Sequence, residues 1–173
     1  MAIYALGDVE PSIDPTAFVH PDATVIGAVT IGPETTVWAQ TVLRGDVGRI
    51  TIGARTSVQD GAVVHATSHL DTEIGDDCVV GHLAHLEGCV VESGALVGSG
   101  SIVLHRARVC SGALVGAAAL VPNGMEVPSG AMALGVPATL RHDAVDPEGM
   151  ILSNARSYVE NGRRYLKELR RIS

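Results

Sequence analysis

His65, His82, His85 and Glu87 fall close together in the sequence. Imidazole and carboxylate are the side chains that hold zinc and similar divalent cations. Whether these four can meet depends on the shape of the chain that carries them. In IGDDCVVGHLAHLEGCVV, Ile74, Val80 and Leu86 are aliphatic residues six apart. That spacing fits neither the 3.6-residue period of a helix nor the alternation of a hairpin strand. A six-residue period is the mark of a parallel β-helix.

The repeat covers most of the chain. Ile13, Val19, Val25, Ile31, Val37 and Leu43 are followed by Ile52, Val58 and Val64, then Ile74, Val80 and Leu86, and then Val91, Val97, Val103, Val109, Val115, Val121, Val127 and Ala133. Four residues after most of these anchors comes a small or β-branched residue, among them Ala17, Thr35, Thr56, Cys78, Ala95 and Ser101, which suits a second inward position at a tight corner. Three hexads close one triangular turn, so the aliphatic anchors of successive turns stack at the strand spacing of about 4.8 Å. The register breaks between Leu43 and Ile52 (nine residues), Val64 and Ile74 (ten) and Leu86 and Val91 (five). The two longer steps are expected to be short loops at corners, where a rigid scaffold tends to carry function.

The remaining composition narrows the class. Among 173 residues, 46% are hydrophobic but only five are Trp, Phe or Tyr, so the core must be aliphatic. The opening MAIYALGDVEPSIDP has no charged segment leading into an apolar one, and no apolar run approaches a membrane span. A cytoplasmic protein without a membrane partner is expected. A net charge of −7 disfavours nucleic acid, leaving small molecules as the expected ligands. Three cysteines without zinc-finger spacing read as structural thiols. The fold class expected is all-β: a parallel β-helix over 1–138, a turn-rich linker over 139–146 and a terminal α-helix over 147–172 that covers one wall. Asp146 and Pro147 would be its N-cap and first position. Ile151, Ala155, Tyr158, Val159, Tyr165, Leu166 and Leu169 would share one face.

Assigning anchors to walls turns spacing into geometry. Leu43, Val64 and Leu86 begin hexads on one wall, so Arg44, His65 and Glu87 form an outward ladder. Val37, Val58 and Val80 define the adjacent wall, where Asp60 and His82 stack one turn apart. The path from His82 to Glu87 is roughly 16 Å when extended, and zinc needs ligand nitrogens at about 2.0–2.1 Å. One prism does not readily bring His65, Glu87 and His82 to one metal. Two neighbouring prisms would, and a head-to-tail contact of triangular prisms closes into a ring of three.

VWAQTVLRGDVGRITIGARTSVQDGAVVHATS, IGDDCVVGHLAHLEGC and GALVGAAALVPNGMEVPSGAMALGVPA resemble the gamma-class carbonic anhydrase family, with the RGD, QDG, VVH and VGH motifs in family order. The resemblance implies a left-handed winding, a homotrimer, and hydration of carbon dioxide to bicarbonate at a zinc, iron or cobalt ion held between subunits by three histidines. Carried over, the ligands fall on His65, on His82 from a neighbouring subunit and on Glu87, where the family has a third histidine. His–His–Glu is a known zinc set. His85 is a rival third ligand, and His69 lies in the ten-residue step, whereas His20 and His105 fall outside every such grouping. Arg44 and Asp46 resemble an inter-subunit ion pair. Gln59 matches the residue that orients water or bicarbonate, Asp60 its neighbour in the interface, and Tyr158 a tyrosine that some members bring near the site. The glutamate proton shuttles of some members have no clear counterpart, since Glu73 adjoins an anchor. Two other readings remain open: a non-catalytic binding protein, as for relatives described as siderophore-binding, and a hexapeptide acyltransferase.

Overall fold

The computed structural model describes residues 2–173. Its body is a parallel β-helix of about seven turns, and every hexad anchor lies where the period placed it. On the first wall Val25, Leu43, Val64, Leu86, Val103 and Val121 are stacked in register. Ile31, Ile52, Ile74, Val91, Val109 and Val127 stack on the second. Val19, Val37, Val58, Val80, Val97, Val115 and Ala133 stack on the third. All are buried, and so are the small residues four positions after the anchors. Burial of these aliphatic columns is the main term holding the prism together, at about 1.5–3 kcal/mol for each fully buried Val, Leu or Ile. Where the corner residue is polar, it has a partner: Thr35 Oγ1 donates to the Gly53 carbonyl at 2.6 Å and Thr56 Oγ1 to that of Gly75 at 2.7 Å.

The nine-residue step is not a loop. Val42–Ile52 is one continuous strand that rounds a corner beside Thr24–Ile31, with a register shift between Gly27 and Val29 absorbing the additional residues. Its outer part is tied to the ten-residue step, because the backbone N–H and Nε–H of Arg49 donate to the Asp71 carboxylate at 2.8 and 3.2 Å. The ten-residue step does leave the wall, in a tight turn bridged between Thr67 and Leu70. At the five-residue step Gly88 takes a positive φ of 59°, which turns the corner in one residue fewer.

Residues 139–146, expected as linker, begin with a strand, Thr139–Arg141, that pairs antiparallel with Met132–Leu134 and covers the end of the third wall's sheet. The terminal helix starts at Pro147 as expected, with the Met150 N–H donating to the Asp146 carbonyl at 2.9 Å. Its first turn, Glu148–Leu152, is π-helical and leads into the α-helix Ser153–Glu168 (α1), and the last residues leave helical geometry at Leu169, short of the expected end. Ile151, Ala155 and Val159 are buried against the body, while Leu166 and Leu169 are exposed near or beyond the helix end. Helix α1 packs on the early strands of the third wall. There Trp38 sits among Phe18, Tyr158 and Tyr165 at centroid distances of 5.0–5.7 Å. The Trp38 indole N–H donates to Thr36 Oγ1 and Ser57 Oγ, each at 3.1 Å. Arg163 reaches across to Glu34 of the prism. Among the described residues no helix is long and apolar enough to cross a membrane.

Candidate metal centre

Two groups of polar side chains emerge from adjacent walls. On the first, Arg44, His65 and Glu87 occupy the same rung of three successive turns. His65 Nδ1 stands 2.7 Å from Glu87 Oε1 and its Nε2 stands 3.0 Å from Asp46 Oδ1. Asp46 Oδ2 accepts from Arg44 at 2.5 Å, within the same chain. The His65 backbone is fixed as well, because Thr72 Oγ1 donates to its carbonyl at 2.5 Å and accepts the Gly88 N–H at 2.8 Å. The hydrogen bond from His65 holds the Glu87 carboxyl below its ordinary range; burial opposes this, and the charges of His65 and His105 reinforce it. Burial pushes the Asp46 carboxyl up, but hydrogen bonds from Arg44, His65 and the backbone, with the Arg44 charge, outweigh it and leave that group below its ordinary range too.

On the third wall Asp60 Oδ2 lies 2.9 Å from His82 Nδ1, and both side chains are about half exposed. Gln59, one residue before Asp60, is buried. Tyr158 comes to this group from α1: burial and then the Asp60 charge raise its phenol, with Gln59 opposing them by hydrogen bonding. The structure therefore brings Gln59, Asp60, His82 and Tyr158 together on one wall, and Arg44, Asp46, His65 and Glu87 together on another.

His85, two residues before Glu87 on the same strand, places Nε2 at 3.7 Å from Glu87 Oε2. His69 is exposed in the turn, and Glu73 is exposed on the second wall. Periodicity alone missed His105. Two residues beyond Val103, the residue paired with Leu86, it reaches back to place Nε2 3.4 Å from Glu87 Oε2. Its position two residues after an anchor, one turn beyond Glu87, was the only available signal.

The donor chemistry fits a divalent cation incompletely. The contact of Asp46 with one ring nitrogen of His65 has the form by which outer carboxylates orient metal-binding imidazoles in other proteins. The other ring nitrogen and Glu87 converge on one point, where either a proton or a cation satisfies both. Among the described residues, however, no three His, Cys, Asp or Glu side chains of one chain form a metal cage. Beside this half-site, on the outside of the first wall, Val42, Val63, His85, Ile102 and Leu120 form a column in register, with Val63 and Ile102 exposed.

A triangular parallel β-helix closed by a terminal helix defines a hexapeptide-repeat protein, and the relatives narrow the family. A carbonic anhydrase of Geobacillus kaustophilus is 42% identical over 164 residues, which span 94% of this chain and 90% of that protein. The carnitine operon protein CaiE of Escherichia coli is 40% identical over 104 residues, 60% of this chain and about half of its own length. Among solved structures, a hexapeptide transferase family protein from Anaplasma phagocytophilum superposes with a TM-score of 0.91 at 36% identity, covering 95% of this chain and 98% of that one. No family model matches the sequence. The chain belongs to the gamma-class carbonic anhydrase family of hexapeptide-repeat proteins.

Proposed function

We propose that this protein hydrates carbon dioxide to bicarbonate at a divalent metal, zinc or else iron or cobalt, held between two chains of a homotrimer. The observation that carries the reading is the convergence of His65 Nδ1 and Glu87 Oε1, 2.7 Å apart, with Asp46 behind the imidazole. Two donors from one chain are too few, and His82 of a neighbouring copy is the third. The 42% identity to a carbonic anhydrase supports the same assignment. The cation, when bound, supplies a Lewis acid that makes water nucleophilic near neutral pH.

This chain's own residues do the rest. His65 and Glu87 bind, and Asp46 fixes the tautomer of His65 and is itself held by Arg44. From the third wall of the neighbouring copy, Gln59 orients water or bicarbonate and Asp60 holds His82. Tyr158 closes the far side of that group. Glu87 brings a negative charge where the family has a neutral imidazole, so it cancels part of the cation's charge and acidifies water less.

The test is metal analysis of protein purified without a histidine tag, together with stopped-flow carbon dioxide hydration. Bound metal with hydration supports the proposal. Glu87→Ala should weaken metal binding at least tenfold, since even losses outside the ligand sphere cost about 10–100-fold. Glu87→His should raise the rate at neutral pH. If metal is retained in Glu87→Ala but lost in His85→Ala, His85 replaces Glu87 as third ligand. Metal without hydration points to a binding role of the siderophore type. Absence of metal with affinity for coenzyme A points to the acyltransferase reading, which the likeness to a transferase family protein favours.

A further inference from the structure

His105 belongs to none of the motifs, yet the structure places its ring beside Glu87. Gly88 lets it approach. A Cβ at position 88 would stand 3.1 Å from His105 Cδ2 and 2.9 Å from Leu70 Cβ, so the residue after Glu87 has to lack a side chain for the imidazole and the turn at Leu70 to close over it. His105 Nε2 is buried and makes no hydrogen bond. Buried ring nitrogens without partners are uncommon and call for an explanation. Glu87 Oε2 lies 3.4 Å away, at the outer edge of hydrogen-bond reach. The competing imidazole, His85, lies farther from the same oxygen, with its Nε2 at 3.7 Å.

The other carboxylate oxygen explains why Glu87 would need a second donor. At 2.7 Å, Oε1 is at hydrogen-bonding distance from His65 Nδ1. Two ligands of a tetrahedral zinc, each about 2.0–2.1 Å from the metal, stand roughly 3.3 Å apart. To admit a cation, Oε1 must draw back from His65, and Glu87 then loses its strongest hydrogen bond. We infer that His105 is a positioning residue for Glu87: its Nε2–H holds Oε2, so that Glu87 presents Oε1 alone to the metal. This rests on the metal-centre reading above. It gives the chain's departure from the three-histidine pattern a second half, because a carboxylate at position 87 has a spare oxygen that accepts from the His105 N–H, whereas a metal-bound imidazole there presents an N–H that cannot accept.

The test uses cobalt as the probe, with binding read from its visible absorption, and compares wild type, His105→Gln, His105→Ala, Glu87→His and the His105→Ala/Glu87→His double variant. His105→Ala should weaken cobalt binding by about 10–100-fold in the wild-type background. In the Glu87→His background the same change should matter by less than about threefold, since the coupled partner is gone. His105→Gln, which keeps an N–H near the position of Nε2, should restore most of the affinity without altering the cobalt spectrum.

Equal losses in both backgrounds would show a merely structural role and overturn the inference. A changed cobalt spectrum with no rescue by Gln would overturn it too, by making His105 a ligand. The pairing is also read without metal, in ¹⁵N-histidine-labelled protein. There the His105 Nε2 resonance should move on Glu87→Gln, and an unmoved resonance overturns the inference even if His105→Ala fails to fold. Wild-type protein that binds no cobalt would remove the metal centre, while the resonance would still decide whether the pair exists.

Discussion

Asp46 and Glu87 are both held below the ordinary carboxylate range by the groups around His65, and that fixes how the site responds to acid. A carboxyl with a lower pKa in the folded than in the unfolded state adds stability above its unfolded value of about 4, and this stability disappears as pH falls through the folded value. Thermal melting should therefore fall as pH drops below about 4, as the bonds to Arg44 and His65 are lost. Glu87→Gln should remove part of that dependence; an identical pH profile in the variant would mean that the carboxyl is not coupled to folding. The rung Arg44–His65–Glu87 was legible in the sequence because register alone decides which residues neighbour each other in a stack of hexads. The approach of His105 to Glu87 was not, because it depends on the reach of a side chain across a corner and on the space left at Gly88.

At the scale of elements, α1 is positioned by a glycine in a helix interior, where alanine is ordinarily the better residue by about 1 kcal/mol. Here the sign should reverse. Gly162 is buried, and a Cβ on it would lie 2.5 Å from Thr36 Cγ2 and 3.6 Å from Phe18 Cβ. Thr36 has little freedom to yield, since it is buried and accepts from the Trp38 indole at 3.1 Å. Gly162→Ala should lift the helix from the third wall and cost about 1–3 kcal/mol, the range for overpacking a tight contact. Denaturant unfolding followed by Trp38 fluorescence measures this, with Ser157→Ala on the exposed face as a control for helix propensity. A gain in stability at position 162 would show that the helix is loosely docked. The anchors of the prism could be read from the sequence because a strict period of six leaves one inward set. The start of the helix could be read as well, from Asp146 and Pro147, but the π-helical turn at Glu148–Leu152 and the strand Thr139–Arg141 paired with Met132–Leu134 could not, because neither leaves a periodic signal.

For the molecule as a whole, the proposed function requires a second copy to contribute what one chain keeps on a separate wall. His65 and His82 pair with different carboxylates on different walls, and the apolar column through Val63 and Ile102 lies beside the His65 rung. A head-to-tail contact that covers this column places the first wall of one copy against the third wall of the next, and repeated twice more it closes a ring. Each interface would then hold one site, with His65 and Glu87 from one side and His82 from the other. His65→Ala chains alone and His82→Ala chains alone should bind no metal. Mixed in equal amounts, unfolded and refolded together, they assemble at random. One half of the interfaces take His65 from a competent chain, and one half of those take His82 from a competent chain, so about a quarter of the sites should be intact. Metal content and hydration rate of the refolded mixture should both recover to about that fraction of wild type. If His65 and His82 served one site from the same chain, no mixture would contain an intact site and recovery would be zero. Labelling the two chains with different affinity tags and capturing them in sequence establishes that mixed trimers have formed, so zero recovery in that fraction would end the shared-site proposal.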